Sequence, residues 1–477
     1  MDRREFVKGT AWMGAAAFAV GCTTERGLGL SRVGKMSTFA VKPFEKLRIG
    51  VVGLGRGYAG VCGFDMIPGC EVTAICDLNA ARIKKSLDHI EKSNRPKPAV
   101  YTGGPEEWKR LCDDPNVDLV YNATPWQLHA PVALYAMQHA GKHVVTEVPS
   151  ALTVDHCWEL VETAEKYGLH CMQLENCCYG ENEMLILNLC RKGMLGELVH
   201  AEGAYIHDLR TYNWGKWNDK GSNPSVDPET GYPAYWNYWR LRHNAVHKGN
   251  QYPTHGLGPI CWYMDINRGD RFDYLVSLES NQLNFEAFAK ARFATDGWQA
   301  NQKVQMGDMN TTLIKTKRGR SILIQHDVSS PRPYSRLNSI TGTKGAVLDF
   351  PLRIVWEDKP GAGAHAFFDK DKLAEVCEKY KHPLWRQAGD IAKRTGGHGG
   401  MDFLMLLRLA YCLQNGLPLD QSVYDLASWC CLCELTEKSV RNRSCSVDIP
   451  DFTRGGWETA KPIDNITVDL EKMGGKA

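Results

Sequence analysis

The sequence carries almost no net charge. Its 477 residues include 57 lysines and arginines against 55 acidic residues, which gives a formal net charge of +2. Such a balance provides no electrostatic attraction for nucleic acid or for strongly acidic partners, so we predict no nucleic-acid binding. With 43% apolar and 23% charged residues, the composition is otherwise that of an ordinary globular chain.

The seventeen cysteines do not form a recognisable metal site. The cysteine and histidine spacing of structural zinc centres is missing, so we predict no metal ion. Vicinal pairs occur at Cys177–Cys178 and Cys430–Cys431, and adjacent cysteines rarely form a disulfide with each other. We therefore expect most thiols to be reduced and to pack in the core as small hydrophobic groups.

The N-terminal segment lacks an apolar run that could span a membrane stably. Residues 11–21 are apolar but too short and too rich in small residues, and they follow the paired Arg3 and Arg4. This pattern predicts a twin-arginine export signal over residues 1–22, with a frayed amphipathic segment as the alternative. The run ends in AVGC, in which Cys22 resembles the lipidated cysteine of a bacterial lipoprotein. We expect a bacterial protein that is periplasmic or lipid-anchored to the membrane through Cys22, with residues 23–45 as a tether.

The first folded region begins with a buried strand that runs into a glycine-rich turn. KLRIGVVGLGRGYAG, residues 46–60, is followed by the strand EVTAICD, which ends in Asp77. In a Rossmann domain the glycines let the backbone approach a pyrophosphate, and an acid after the second strand accepts from the ribose hydroxyls. We therefore predict a Rossmann domain that binds NAD over residues 46–178. Asp77 would repel a 2′-phosphate, which favours NAD over NADP.

The glycine-rich turn has two candidate registers. Gly53 and Gly55 fit the first two glycines of the motif, but the third then comes one residue early, at Gly57. The alternative register uses Gly55, Gly57 and Gly60. Both registers place Arg56 and Gly57 at the phosphates.

Later strands end in further candidate residues. VDLVYNATP, HVVTE and HCMQLEN are predicted to be parallel strands, whose carboxyl ends form the ligand crevice in this type of sheet. Glu147 is notable because a carboxylate at the end of a core strand is costly unless it has a binding partner. His129 has an alternative role as a helix cap or core residue. The candidate cofactor contacts at these ends are Thr124, Trp126, Gln127, Leu128, His129, Glu147, Val148 and Asn176.

These features resemble the Gfo/Idh/MocA oxidoreductase family. Ordinary dehydrogenases of this family have Glu-Lys-Pro where this chain has Glu147-Val148-Pro149, and their lysine contacts the hydroxyl group that is oxidised. Valine can neither donate nor accept a proton, so the resemblance does not imply a simple alcohol dehydrogenase. The matching motifs are Gly53-x-Gly55, Asp77, Thr124-Pro125 with His129, and GKHVVTEVPSALT at residues 141–153.

One branch of that family lacks the lysine, namely the NAD-dependent α-N-acetylgalactosaminidases of glycoside hydrolase family 109. The chain resembles this branch from about residue 46 to residue 460. The resemblance implies an α/β protein in which the Rossmann domain is followed by an α+β substrate-binding domain over residues 179–460, with 461–477 as a tail. Period-two alternation in segments such as GRSILIQHD also indicates an open, largely antiparallel sheet. The ordered motifs are LENCCY (174–179), YPTHGLGP (252–259), DINRG (265–269), RPY (332–334), GHGGMD (397–402) and IPDFT (449–453).

The resemblance assigns roles to residues of the second domain. Tyr179 and His255 would carry out the proton transfers of catalysis, and histidine exchanges protons near neutral pH. Nine tyrosines and tryptophans between Tyr205 and Trp239 predict a sugar-binding platform or, alternatively, clamps that hold a long loop. Asp208 and His398 are weaker candidates. The matched substrate positions are Tyr205, Arg240, Tyr252, Pro253, Thr254, His255 and Tyr334, and Tyr252 is also matched to the cofactor.

The reaction implied by the resemblance is redox neutral. NAD takes a hydride from C3 of the sugar, the aglycone at C1 is eliminated, water adds, and the hydride returns. The sequence shows no obvious carboxylate pair for direct hydrolysis, and a retained NAD would suit an exported enzyme. The expected substrate is a glycan with terminal α-N-acetylgalactosamine, although either Tyr179 or His255 could be the base at C2. The alternatives are an NAD-dependent sugar dehydrogenase and a non-catalytic carbohydrate-binding protein, and a homo-oligomer is expected for such a sheet.

Overall fold

The N-terminal strands form a sheet whose central members are buried on both faces, as their runs of valine and isoleucine predict. The strands are β1 (Leu47–Val52), β2 (Cys70–Cys76), β3 (Ala99–Tyr101), β4 (Leu119–Asn122), β5 (His143–Thr146) and β6 (Cys171–Gln173). All pair in parallel, in the order β3-β2-β1-β4-β5-β6. This is the order of a dinucleotide-binding sheet, and it reverses direction between β1 and β4. The computed structural model describes residues 32–214, 216–217, 224–225, 238–395, 397–464 and 466–473.

Helices connect these strands on both faces of the sheet. They are α1 (Gly57–Asp65), α2 (Ala80–Lys92), α3 (Glu107–Cys112), α4 (His129–Gln138) and α5 (Val154–Tyr167). Asn79 caps α2 because its side chain accepts from the first backbone N–H groups, and Thr153 caps α5 in the same way. Gly168 ends α5 in the left-handed conformation, with φ of 64°.

The second sheet has eight strands. Its order is β15-β14-β13-β7-β12-β11-β10-β16, and only the pair β7–β12 is parallel among the strands that the structure describes in it. The predicted α/β fold, with a Rossmann domain and an open, largely antiparallel second sheet, is confirmed. These strands are β7 (Leu198–Ile206), β10 (Phe272–Glu279), β11 (Asn310–Thr316), β12 (Ser321–Asp327), β13 (Ser339–Gly342), β14 (Gly345–Leu348), β15 (Arg353–Trp356) and β16 (Val447–Asp448), and a separate short pair is β8 (Lys216–Trp217) with β9 (Pro224–Ser225).

The helices of the second half do not all stay with the second sheet. Gln414 and Gln421 donate to the backbone carbonyls of Pro68 (2.8 Å) and Glu175 (3.0 Å), so this part of the chain returns to the Rossmann domain. One continuous hydrophobic core therefore joins both domains. The helices are α6 (Glu181–Arg191), α7 (Arg210–Trp214), α8 (Trp239–Val246), α9 (Thr254–Tyr263), α10 (Asn284–Lys290), α11 (Trp298–Asn301), α12 (Lys370–Tyr380), α13 (Pro383–Thr395), α14 (Met401–Asn415), α15 (Val423–Cys430) and α16 (Leu432–Arg441).

The described parts of the predicted tether and tail are folded, which corrects the sequence-based expectation. Phe39 and Phe44 pack against His170 and His143, with ring centroids 4.9 and 5.8 Å apart. At the other end, apolar side chains including Met473 are buried. Apolar residues in both segments favour burial over extension into water.

The predicted export signal, with Arg3, Arg4 and Cys22, lies outside the described residues. Among the helices that the structure does describe, none combines the length and apolar character needed to cross a membrane. Every cysteine in the described ranges is free, and most of these thiols are buried, as expected.

Candidate active site

A cleft of about 810 Å³ lies between the carboxyl edge of the Rossmann sheet and the second domain. It collects residues that follow β1, β2, β4, β5 and β6, together with side chains from α8 and α9. The cleft therefore lies at the strand ends, where the sequence places its candidate residues. The predicted residues that line it are Gly53, Gly55, Arg56, Asp77, Thr124, Trp126, Leu128, His129, Glu147, Val148, Asn176, Tyr205, Arg240, Tyr252 and His255, and the weaker candidate His398 also lines it.

The glycine-rich turn follows the register that begins at Gly53. Gly53 has φ of 85°, and a Cβ there would lie 2.6 Å from the carbonyl oxygen of Ala123. A Cβ on Gly57 would lie 2.9 Å from Val51, so Gly57 lets α1 pack closely on β1. Gly55 is exposed at the turn. The third glycine of the motif comes one residue early because α1 begins at Gly57.

Asp77 lies at the end of β2 with its carboxylate facing the glycine-rich turn. Its two oxygens accept from the backbone N–H groups of Leu54 and Asn79, each at 2.7 Å. Each carboxylate oxygen can accept more than one hydrogen bond, so acceptor capacity remains for hydroxyl groups. The positive φ of Gly53, the tight packing around it and this carboxylate fit the ribose and pyrophosphate of a dinucleotide.

Glu147 faces a tyrosine and an arginine of the same domain. Tyr121 donates to its carboxylate at 2.7 Å, and the Arg56 Nε lies 3.6 Å away. Burial, together with the Glu147 charge, raises the pKa of Tyr121, so its hydroxyl keeps the proton that it donates. Burial would lower the pKa of Arg56, but Glu147 and Asp402 offset this effect and raise it. The carboxylate thus has binding partners, as its position required.

Asp402 connects the second domain to the cofactor end of the cleft. It accepts from Arg56 at 3.0 Å and from Asn176 at 2.5 Å, and His398 Nδ1 lies 2.9 Å away. Burial would raise the pKa of Asp402, but the hydrogen bond from His398 and the charge of Arg56 hold it well below its usual range. Sequence reasoning missed Asp402, although it ends the quoted GHGGMD motif.

His129 ties two loops of the cleft together. Its ring nitrogens lie 2.7 Å from the carbonyl oxygens of Pro149 and Thr124. Burial lowers the pKa of His129 to about 4, against the opposing effect of these carbonyls. Trp126 makes a similar link, because its indole donates to the Val148 carbonyl at 3.1 Å. The alternative role of a core histidine therefore describes His129 better than direct cofactor contact does.

The partly buried His255 and the fully buried Glu175 form a pair beside the cleft. His255 Nδ1 lies 2.7 and 2.9 Å from the two carboxylate oxygens of Glu175, and its Nε2 lies 3.5 Å from the Tyr252 hydroxyl. Burial would raise the pKa of Glu175, but the charge and hydrogen bond of His255 lower it, so the carboxylate is ionised at neutral pH. Glu175 follows β6 in the quoted LENCCY motif. The same strand-end signal that singled out Glu147 could have found it.

Glu175, His255 and Cys177 also form a potential metal-ligand set, since their ligand atoms lie within 4.8 Å of one another. Cysteine binds metal as the thiolate. Burial raises the pKa of the Cys177 thiol well above its usual value, which opposes metal binding here.

Aromatic rings and one arginine build the wall around His255. The rings of Tyr205 and Tyr252 lie 4.5 Å apart, and Trp126 lies 5.6 Å from Tyr252. The guanidinium of Arg240 lies 4.6 Å from the Trp126 ring and 5.0 Å from the Tyr252 ring. Burial raises the pKa of Tyr252 well above its usual value, so this hydroxyl is protonated at neutral pH.

Tyr179 does not reach the cleft, which contradicts its predicted contact with substrate. Its side chain is fully buried, and its hydroxyl donates to Asp420 at 3.1 Å. Its ring packs on Trp262, with centroids 5.4 Å apart. The 3-10 turn Asn176–Tyr179 explains the difference, because it directs Asn176 into the cleft and Tyr179 into the core behind it.

Other predicted contacts also lie outside the cleft. Pro253 and Thr254 are buried at the start of α9 and do not line the cleft, and Gln127 is exposed outside it. Tyr334 lines a neighbouring pocket. Asp208 pairs with Arg210 at 2.6 Å.

The predicted aromatic platform is only partly described. Tyr205, Tyr212 and Trp239 line the cleft, whereas Trp214 is buried against Phe293. The side chains of Trp217, Tyr232, Tyr235 and Trp236 lie outside the described residues.

The two halves of the chain match two known sequence families. Residues 47–174 match the oxidoreductase family with an NAD-binding Rossmann fold, and residues 179–459 match the C-terminal domain of glycosyl hydrolase 109. Among solved structures, levoglucosan dehydrogenase in complex with NADH superimposes with a TM-score of 0.60 at 17% identity, covering 85% of this chain and 100% of that one. At this identity the likeness shows the fold alone.

Relatives match over nearly the whole chain. A glycosyl hydrolase family 109 protein of Shewanella sp. (strain ANA-3) is 46% identical over 469 residues, which cover 97% of this chain and 98% of the relative. A Shewanella oneidensis protein named alpha-N-acetylgalactosaminidase is 44% identical with the same coverage. The resemblance inferred from the motifs is confirmed. This chain belongs to glycoside hydrolase family 109, within the wider Gfo/Idh/MocA group.

Proposed function

We propose that this glycosidase removes terminal α-N-acetylgalactosamine from glycans by an NAD-dependent cycle of oxidation, elimination, hydration and reduction. The observation that carries the proposal is the shared cleft. The cofactor-type residues Gly53, Arg56 and Asp77 and the buried His255–Glu175 pair line or border the same space. The relative named alpha-N-acetylgalactosaminidase supports the choice of sugar.

Asp77 would hold the ribose hydroxyls, and the backbone from Gly53 to Arg56 would face the pyrophosphate. Bound in this way, NAD would supply reversible hydride transfer at C3 of the sugar. Asn176 is held at the same end of the cleft, because Asp402 accepts from its amide at 2.5 Å.

His255 Nε2 is the proposed proton acceptor. Glu175 accepts from Nδ1, which leaves Nε2 facing Tyr252 and the cleft. Once C3 of the sugar is a ketone, the C2 proton is acidic. Transfer of this proton to Nε2 forms the C1–C2 double bond as the C1–oxygen bond breaks. The charge of Glu175 stabilises the protonated ring, which then returns its proton when water adds.

Tyr252 is the proposed donor of the proton that the aglycone oxygen takes up as the C1–oxygen bond breaks, and the water that adds at C1 returns a proton to Tyr252. Its hydroxyl keeps its proton at neutral pH because burial raises its pKa. Its hydroxyl lies 3.5 Å from His255 Nε2, so both groups can reach the same sugar ring. Because Tyr179 lies outside the cleft, His255 is the better candidate for the base at C2.

Val148 supports elimination over simple alcohol oxidation. Its side chain is 6% exposed and packs in the cluster that contains Trp126 and Tyr252. A valine exchanges no proton with a sugar hydroxyl, so the proton transfers fall to the His255 end of the cleft.

The proposal is tested by hydrolysis of p-nitrophenyl α-N-acetylgalactosaminide in D₂O. We expect release of the sugar with deuterium at C2, and loss of this activity in His255→Ala. His200→Ala is the matched control, because His200 lies on β7 and bonds Ser321 outside the cleft. Hydrolysis with no deuterium at C2 would count against the elimination route. Net NADH formation from free sugar would instead support a dehydrogenase.

We also propose export by the twin-arginine route with a lipid on Cys22. The paired Arg3 and Arg4 and the AVGC sequence support it. Fractionation of cells that express the wild type and an Arg3→Lys, Arg4→Lys variant tests it. We expect the wild type in the membrane fraction and the variant in the cytoplasm; equal distribution of the two proteins would contradict the proposal.

A further inference from the structure

A second pocket opens beside the cleft, and we call it the side pocket. It has a volume of about 790 Å³, and its main lining side chains are Glu181, Tyr334, Phe350, Trp385, Lys393 and His398. His398 lines both the cleft and the side pocket. The two spaces are therefore neighbours that meet at His398.

Tyr334 forms the wall between the two spaces. On the cleft side its ring packs edge-on against His207 and Tyr205, with centroids 5.1 and 6.2 Å apart. On the other side it packs against Phe350, at 6.0 Å. The Tyr334 ring therefore lies between these cleft residues and Phe350.

The side pocket combines aromatic rings with charged groups that already have protein partners. Phe350 and Tyr334 are partly exposed, whereas Trp385 is buried. Lys393 pairs with Glu181 at 2.7 Å on the rim, and Asp349 accepts from the Asn182 amide at 3.2 Å. Charged groups with protein partners do not select a strongly ionic ligand. Aromatic faces suit the C–H face of a pyranose ring, and the rim groups can bond its hydroxyls. The chemistry therefore fits a neutral sugar.

Phe350 is held in place by buried polar groups. Asp349 accepts from the Phe350 backbone N–H at 2.7 Å and from the Asn182 amide at 3.2 Å. Phe350 itself has φ of 60°, which non-glycine residues rarely adopt. Arg336 lies 5.1 Å from its ring and bonds the Tyr334 hydroxyl at 2.9 Å. This support fixes the ring before any ligand arrives.

We propose that the side pocket binds the sugar residue on the leaving-group side of the scissile bond. This inference rests on the proposed function, which places the terminal sugar between the cofactor residues and His255. A glycan with a second ring needs a contiguous site for that ring. The side pocket supplies one, with Phe350 as the stacking surface and Tyr334 at the junction.

The test is calorimetric binding to the NADH-saturated protein, which cannot start the oxidation and so leaves the ligands intact. The ligands are methyl α-N-acetylgalactosaminide and a disaccharide in which the same sugar is linked to a second hexose. We expect the wild type to bind the disaccharide about tenfold more tightly, the gain typical of one aromatic contact plus rim hydrogen bonds. Phe350→Leu and Lys393→Ala should each remove most of this gain while leaving the affinity for the methyl glycoside unchanged.

Phe367→Ala is the matched control, because Phe367 is an exposed phenylalanine outside both pockets. It should retain the full gain. Equal affinity of the wild type for both ligands, binding of neither ligand, or an undiminished gain in both side-pocket variants would overturn the subsite. Hydrolysis of the p-nitrophenyl glycoside by the same preparation then shows separately whether the proposed function stands.

Discussion

Replacement of Glu175 by glutamine isolates the charge of the His255–Glu175 pair. Both carboxylate oxygens lie within 2.9 Å of His255 Nδ1, and the glutamate side chain is fully buried. Glutamine keeps a similar shape and one acceptor oxygen, so the ring can stay in place. What is lost is the negative charge that stabilises the protonated ring during the reaction.

The size of the effect follows from Coulomb's law. Two unit charges about 4 Å apart interact with about 4 kcal/mol at an effective dielectric constant of about 20. Since each 1.36 kcal/mol is a factor of ten in rate, complete loss corresponds to about a thousandfold. Because the glutamine oxygen still accepts from Nδ1, we expect kcat to fall by about a hundredfold to a thousandfold.

The assay is kcat for the p-nitrophenyl glycoside at neutral pH, with bound NAD measured by its absorbance after release. NAD content should be unchanged in Glu175→Gln. A variant that keeps more than about a tenth of the wild-type kcat would refute the role of the charge.

Glu165→Gln provides the matched control for burial. Glu165 is another buried carboxylate, which accepts from Tyr424 at 2.5 Å and pairs with Arg454 at 2.7 Å, outside the cleft. Its replacement should lower the melting temperature and leave kcat unchanged. An equal fall of kcat in both variants would show that the effect of Glu175→Gln is structural.

Three further predictions concern the cofactor end of the cleft. Asp77→Ala should weaken NAD binding in calorimetry by roughly tenfold to a hundredfold, the cost of lost hydrogen bonds to a charged group, and an unchanged affinity would exclude ribose contact. Gly53→Ala should lower the melting temperature more than Gly319→Ala, because both have positive φ but only Gly53 meets backbone atoms at 2.6 Å. Asp402 has a lowered pKa, so its contribution to stability is complete above the ordinary value of about 3.9 and disappears as pH falls through the folded-state value. Denaturant titrations should therefore show that Asp402→Asn is less stable than the wild type at pH 7 and that the difference shrinks toward pH 2; a constant difference would contradict this.

The Rossmann domain was predictable because its signals are local. The strand, glycine turn, helix and acid all occur between Leu47 and Asp77. The glycines are needed for the backbone conformation of the turn, and the acid is needed for its charge at the end of the second strand. The alternation of strands and helices along the chain, together with parallel pairing, then places the carboxyl ends of β4, β5 and β6 at one edge of the sheet. The positions of Glu147 and Asn176 follow from this rule without any knowledge of the second domain.

The partners of these residues could not be predicted in the same way. Glu175 meets His255 across 80 residues of sequence, and Arg56 meets Asp402 across 346. Such pairs depend on how the second domain returns to the first sheet, which no local pattern encodes. The direction of the Tyr179 side chain could not be predicted for a different reason. It is determined by the 3-10 turn that ends at Tyr179. Motif resemblance gave its position but not the face on which it lies.

Adjacent residues at the end of β5 have different roles because the chain turns their side chains apart. Glu147 points to Tyr121 and Arg56 within the Rossmann domain, whereas Val148 packs with aromatic side chains on the second-domain side of the cleft. Arg56 is shared by Glu147 and Asp402, one carboxylate from each domain. The Arg56 guanidinium, on the glycine-rich turn, therefore also holds the domains together, so this end of the cleft and the domain interface are stabilised by the same charges. Since Val148 leaves no protonatable group at its position, the proposed proton transfers fall to His255.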